Sequence, residues 1–216
     1  LWLCLYLPNL ALEVFYPSGP KQPPNDGLKP IAIIQQQRIE ALSYHAAATG
    51  LRVGTMASHA YALCENLTCI EKSAAKERRA LAQIAQWLYE FTPNVCPYGD
   101  QHLILEVSSS LKLFSGLNHL KYLIEEKTTH LGYTPKLGVS QTPLAAKISA
   151  EIDCPDNHQQ SPGIALKSLQ LIHLQLPPPS VMKLEKMGIT ILKQLIDLPR
   201  HTLKKRFGDA FIHYLE

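Results

Sequence analysis

The feature that most narrows the fold of this chain is a series of period changes between Ala74 and Ala150. Leu81, Ile84, Ala85, Leu88 and Phe91 recur at helical spacing, with Lys76, Glu77, Arg78 and Arg79 near the start of the run and Thr92-Pro93 closing it. Two short apolar runs, Asn94 to Tyr98 and His102 to Ser108, then flank Gly99-Asp100, which is a hairpin signal. Leu117 to Leu131 returns to helical period and Lys136 to Ser140 to strand. Thr142 to Ala150 is helical again, with Pro143 at a position a first turn tolerates. Leu1 to Leu7 adds a fully apolar strand at the front. The order is strand, helix, two strands, helix, strand, which is a split βαβ pattern of ferredoxin-like type.

That pattern makes the segment between Leu7 and Ala74 an insertion. Pro17 to Pro30 is rich in Pro, Gly, Asn and Asp and reads as a loop. Ile31 to Gln35 reads as a short strand, and residues 38–48 as a short strand followed by a helix start. Gly50 and Gly54 bracket a turn-rich segment, and Thr55 to Cys64 is helical. After the split βαβ, Cys154 to Gly163 is polar and contains Pro, as linkers do. Ser180 to Met187, Ile191 to Ile196 and Leu203 to Tyr214 then read as short amphipathic helices. The fold class is therefore α+β: a ferredoxin-like body, a small insertion and a small all-helical module.

Composition excludes little beyond this. With 46% hydrophobic residues over 216 positions the chain can bury a core. A net charge of +3 permits nucleic-acid contact without arguing strongly for it. Cys4, Cys64, Cys69, Cys96 and Cys154 contain no CxxC pair, so neither a zinc knuckle nor a thioredoxin-like site is suggested. Scattered thiols fit a reducing cytosol. Leu1 to Leu7 is too short to span a bilayer, so no membrane role is expected. The absence of an initial Met and the stop at Tyr214-Leu215-Glu216 suggest a fragment of a longer protein.

Five stretches carry a resemblance that covers nearly the whole chain. They are Leu1 to Glu13; Ser43 to Met56; Leu105-Glu-Val-Ser108 with Leu113-Phe-Ser-Gly116; Leu137 to Lys147; and Met187-Gly-Ile-Thr190 through Leu198-Pro199 to Arg206-Phe-Gly208. In this order and spacing they resemble the Y-family DNA polymerases, which carry out translesion synthesis. The nearest likeness is to the polymerase-like members of bacterial mutagenesis cassettes. The resemblance implies a palm at residues 1–16 and 74–160, a fingers-like insertion at 17–73, and a helical thumb of helix-hairpin-helix type at 161–216.

The resemblance also implies where the chemistry of an active member would stand. Its first-strand Asp falls on Cys4, with Leu5 following as the residue that contributes its backbone. Its acidic pair falls on Gln101 and His102. Glu106 matches a structural acidic position rather than the catalytic pair. Phosphoryl transfer from a nucleoside triphosphate needs oxygen ligands for two magnesium ions. Gln, His and Cys do not supply them. Glu13 is acidic and near the pocket, but one carboxylate does not make the site. The residue that excludes ribonucleotides falls on Asn9. The fingers Tyr and Arg that touch the triphosphate fall on Tyr44 and Ala47, so the Tyr is kept and the Arg is not. Lys147 matches a phosphate-contacting palm lysine; taken alone it is an ordinary solvated lysine on a helix. Cys4 taken alone is a buried strand residue, and His102 a partly exposed strand-start residue. A different metal site built from Cys4, His45, Cys96 and His102 has irregular spacing, and no metal or other cofactor is expected.

In the thumb, the Gly-hydrophobic-Gly turn that offers N–H groups to DNA phosphates falls on Gln175-Leu176-Pro177, followed by Pro178 and Pro179. Proline removes both donors and flexibility. Lys183, Lys186, Lys193, Arg200, Lys204, Lys205 and Arg206 remain for weak, salt-dependent backbone contact; a solvated helical surface is the plainer account. The reading that follows is a catalytically inactive polymerase homologue, cytoplasmic, acting in SOS damage tolerance and mutagenesis. The resemblance implies primer-template or damaged DNA as a partner. It also implies a sliding clamp, an error-prone replicative-type polymerase and a RecA-like accessory protein, reached through regions beyond this chain. The competing readings are an active translesion polymerase with relocated ligands, for which Asp100 is the nearest candidate, and a protein-interaction module without DNA contact. An RNA-binding ferredoxin-like domain lacks the aromatic strand motifs that base stacking needs.

Overall fold

A computed structural model describes residues 1–16, 29–152, 171, 176, 178–208 and 211–212. The elements in chain order are β1 (Trp2–Tyr6), α1 (Leu10–Glu13), β2 (Ile31–Gln35), β3 (Arg38–Leu42), α2 (Tyr44–Ala48), α3 (Ala57–Leu63) and β4 (Thr68–Glu71). They continue with α4 (Ala74–Leu88), β5 (Val95–Pro97), β6 (His102–Glu106), α5 (Leu117–His130), β7 (Lys136–Ser140) and α6 (Pro143–Glu151). Three further helices follow: α7 (Pro178–Lys186), α8 (Leu192–Ile196) and α9 (Arg200–Phe207).

β1, β5, β6 and β7 form one antiparallel sheet in the order β5-β6-β1-β7. With α4 and α5 as the two crossovers, this is the split βαβ topology that the period changes predict. Strand alternation divides the side chains between two faces. Leu3, Leu5, Leu7, Leu103 and Leu105 pack against Leu81, Ile84 and Leu88 of α4 and Leu120 and Ile124 of α5. Cys4 and Ile104 face the other way, onto Ala146 and Ala150 of α6, with Trp2 and Tyr6 alongside. The helix lies unusually close there. A Cβ placed on Gly138 would come within 2.2 Å of the Ala150 nitrogen and 2.3 Å of the Ala146 oxygen. One glycine and two alanines are thus what let α6 seat on the sheet. The Thr142 side chain caps its N-terminus by accepting from Ala145 N–H, with Pro143 in the first turn.

The insertion builds its own three-stranded sheet, ordered β3-β2-β4, over a separate core of Ala32, Ile39, Ala46, Leu51, Ala60 and Leu67. β4 is absent from the sequence reading. Its four residues, Thr-Cys-Ile-Glu, are too few and too evenly half-buried to show a period, and it pairs in parallel with β2, a partner far along the chain.

At the C-terminal end Leu184, Ile189, Leu195 and Leu203 cluster with Leu171, Leu176 and Ile148 of α6. This helical portion therefore shares its core with α6. Gly188, at φ +74°, makes the turn between α7 and α8. The predicted boundaries shift here. α7 begins at Pro178 rather than Ser180, because prolines are tolerated in a first turn. α9 begins at Arg200, directly after Pro199, rather than at Leu203. The expected linker at 154–163, Cys154, most of the loop at 17–30, and Gln175 and Pro177 of the expected hairpin lie outside the described residues. No described helix is long and apolar enough to cross a membrane.

Candidate functional site

The strand register decides which residues meet. On β1, Tyr6 stands opposite His102, and the Leu7 N–H donates to the Gln101 carbonyl at 2.9 Å. Cys4 stands opposite Ile104 on one side and Gly138 on the other. The β1 residues abreast of Gln101 and His102 are therefore Tyr6 and Leu7, while Cys4 lies one pleat further in, fully buried. Burial, reinforced by the negative charge of Glu151 and opposed by Lys147, pushes the Cys4 thiol up to about 12. It is a packed thiol at neutral pH, neither a nucleophile nor a thiolate ligand. Its reading as a buried strand residue holds.

His102 corrects its expectation. Rather than being partly exposed, it is buried, with 7% of its surface accessible. Its ring stacks on Tyr6 at 4.5 Å and 8° between planes. Nε2 lies 3.0 Å from Glu151 Oε1, yet out of line for a directed hydrogen bond. Burial lowers the imidazole's pKa most; Glu151 works against that and Lys147 with it, and the net direction is down. His102 is neutral at pH 7.

Lys147 is also no solvated lysine. It is 7% exposed, its ammonium lies 3.4 Å from Glu151 Oε1, and it sits 5.7 Å from the centre of the Tyr98 ring. Lys147 and Glu151 are one turn apart on α6, so the helix delivers both to the same patch of sheet. Glu151 is the residue that sequence reasoning missed. The Lys-to-Glu spacing of four was readable, but that this helix face covers the sheet beside His102 was not.

The remaining candidates lie elsewhere. Tyr44 and Ala47 are both exposed on α2, three residues apart and on one side of that helix; the Tyr44 ring meets His45 edge-on at 5.9 Å. Asn9 is exposed at the start of α1 and its side chain caps nothing. Glu13 is 3% exposed, and its Oε1 accepts from the Thr134 N–H at 3.0 Å and the Thr134 hydroxyl at 2.5 Å. It ties α1 to the approach to β7, and burial raises its carboxyl despite those bonds. Asp100, in the β5–β6 turn, lines a cleft with Lys72 and with Glu77 of α4. Cys96 is exposed on the edge strand, two strands from Cys4, and His45 lies on helix α2 of the insertion, so these four do not converge.

Lys183, Lys186, Lys193, Lys204, Lys205 and Arg206 are all exposed on α7, α8 and α9. The Arg206 guanidinium reaches Met187 Sδ at 3.2 Å across the helices. At the α7–α8 turn, Gln194 Oε1 accepts from both Thr190 and Ile191 N–H, so those two donors are already engaged.

The residues 26–151 match the model of the impB/mucB/samB family, more than half of the chain. The chain belongs to that family. It is 28% identical over 170 residues to Protein ImuB of Caulobacter vibrioides, a match covering 77% of this chain and 37% of that protein. It is 27% identical over 183 residues to DNA polymerase IV of Dehalococcoides mccartyi, covering 82% of this chain and 47% of that one. The chain thus spans less than half the length of these curated relatives. Among solved structures it superposes on an insertion ternary complex of Dbh DNA polymerase with a TM-score of 0.76, at 16% identity, covering 99% of this chain and 65% of that one. The crystal structure of DinB from Sulfolobus solfataricus gives 0.70, also at 16% identity and with coverages of 99% and 65%. These likenesses establish a Y-family polymerase fold, ImuB-like in sequence.

Two-metal polymerase chemistry holds its magnesium ions with carboxylate oxygens. The donors gathered here do not fit that demand. Leu7 has none, Tyr6 and His102 are stacked and neutral, and Gln101 offers an amide. The nearby carboxylate, Glu151, is already paired with the Lys147 ammonium.

Proposed function

We propose that this chain is a non-catalytic Y-family polymerase-like protein that positions DNA and serves as a scaffold for an error-prone polymerase in SOS damage tolerance and mutagenesis. In this reading residues 1–16 and 74–160 are the palm, 17–73 the fingers, and 161–216 the thumb. The observation that carries it is the composition of the strand-end pocket: Tyr6 and Leu7 face Gln101 and His102, and Lys147 occupies Glu151. A single engaged carboxylate cannot align a primer hydroxyl and a triphosphate through two hard cations. The loss of the fingers cation at Ala47 weakens triphosphate binding further. The exposed cations of α7, α8 and α9 supply a sequence-independent grip on the DNA backbone. That the solved relatives include DNA polymerases in ternary complexes supports DNA as the partner. The clamp, the polymerase and the RecA-like protein are placed by this reading on regions outside 1–216.

The test is magnesium-dependent primer extension paired with primer-template binding at low and moderate salt. The expected result is binding without extension. Extension that Asp100→Asn abolishes would establish an active polymerase with relocated ligands instead. Neither binding nor extension would make the chain a protein-interaction module.

A further inference from the structure

The two sheets have separate hydrophobic cores, and what joins them at the chain crossing is polar. β4 ends at Glu71 and α4 begins at Ala74, leaving two residues between. The Lys72 N–H still donates to Ile34 O of β2 at 2.9 Å, so its backbone belongs to the insertion's sheet. Ser73 already belongs to the palm helix: its hydroxyl accepts from Lys76 N–H at 3.4 Å and its carbonyl from Glu77 N–H at 3.0 Å. The boundary between the two bodies is thus the Lys72–Ser73 link.

The Lys72 side chain crosses that boundary. Its ammonium lies 2.5 Å from Glu40 Oε1 on β3 and 3.9 Å from Glu77 Oε2 on α4. Asp100, from the β5–β6 turn, adds a third carboxylate. Burial opposes the charge on Lys72, but Glu40, Glu77 and Asp100 together outweigh it and hold its pKa above the ordinary lysine value. Beside this group lies a cleft of about 160 Å³ lined by Gln35, Lys72, Ala74, Glu77, Arg78 and Asp100. Two buried carboxylate oxygens, Glu40 Oε2 and Glu77 Oε1, have no donor. Arg78 lines the palm side of this cleft, and the Lys72 ammonium bridges acids on both bodies.

We infer that Lys72 is an electrostatic latch between the insertion and the palm, and that without its charge the repulsion among the facing carboxylates loosens this seam. The reason is sign. With the ammonium gone, Glu40 and Glu77 face each other across the boundary with Asp100 beside them, and their repulsion works against the packing of α1 on β2 and β3 that otherwise holds the two bodies together. This inference stands apart from the catalytic reading above, since it concerns only how the two bodies are joined.

The experiment places spin labels through ketone-bearing residues at exposed positions 58 on α3 and 122 on α5, which leaves the native cysteines untouched, and measures the interlabel distance distribution. The otherwise unmodified protein gives one narrow peak at low salt. Lys72→Met at least doubles the width, with circular dichroism unchanged, while Lys72→Arg stays narrow. Lys72→Met combined with Glu40→Gln and Glu77→Gln narrows again, because the repulsion has been removed. A Lys72→Met distribution as narrow as the parent overturns the latch. So does a triple variant as broad as Lys72→Met, which would make Lys72 a packing residue rather than a charge.

Discussion

Replacing Gly138 by alanine tests whether α6 and the sheet are as tightly joined as the geometry says. The added methyl carbon meets Ala150 N at 2.2 Å, Ala146 O at 2.3 Å and Ala150 Cα at 2.8 Å. Comfortable carbon contacts begin near 3.5 Å, so α6 must retreat by roughly 1 Å. All three obstructing atoms are backbone, so no side chain can rotate out of the way. Overpacking a core costs about 1–3 kcal/mol, and a backbone obstruction belongs at the upper end, about 3 kcal/mol. With a urea slope of about 2 kcal/mol/M, the midpoint falls by about 1.5 M. The assay is urea unfolding followed by tryptophan fluorescence, since Trp2 flanks the α6-facing side of the sheet. Two controls separate the causes. Gly54→Ala meets no atom within 4 Å but sits at φ +89°, and should cost only about 1 kcal/mol. Adding Ala150→Gly should not rescue Gly138→Ala, because the obstruction is the Ala150 backbone and not its methyl. A Gly138→Ala midpoint within about 0.5 kcal/mol of the parent would refute the close approach.

Two further outcomes follow from the site. His102 has a folded pKa lowered below its ordinary 6.5, so the unfolded chain takes the proton first. The stability linked to it is present above about pH 6.5 and is lost as pH falls through that value towards the folded pKa. Urea midpoints measured between pH 7.5 and 5.5 should fall, and fall less in His102→Phe, which keeps the ring stack on Tyr6; equal slopes would show that His102 does not govern the decline. In the helical module, Lys204, Lys205 and Arg206 each replaced by Ser should weaken primer-template binding and reduce the logarithmic salt slope by up to about 3, if each neutralises one phosphate. An unchanged slope would remove α9 from the DNA surface.

Much of the fold was legible because its elements announce themselves locally. α4 shows its apolar stripe over four turns, the β5–β6 hairpin has its Gly99-Asp100 turn, and α6 has Thr142 and Pro143 at its start. β4 was not legible, since a four-residue parallel strand shows no period and its partner β2 lies more than thirty residues back. The site divides in the same way. That Gln101 and His102 are not acids could be read from residue type, wherever they sit. The register could not. That Tyr6 and Leu7, rather than Cys4, come abreast of Gln101 and His102 depends on cross-strand pairing, and a slip of one residue would change every neighbour. The burial of His102 and Lys147 was hidden for a related reason: it is imposed by α6 folding across the sheet, forty residues beyond β6.

The internal pairing on α6 also bears on why Lys147 is there. A lysine kept for phosphate contact would need its ammonium available to a ligand. Here 7% of the residue is accessible and the ammonium stands 3.4 Å from Glu151. A buried charge left without its partner is strongly destabilising, so neither member of such a pair can be lost alone at small cost. Cys4, raised to about 12 mainly by burial, and neutral His102 sit beside this ion pair and carry no charge of their own at neutral pH. In the proposed reading a polyanion meets the exposed cations of α7, α8 and α9 instead.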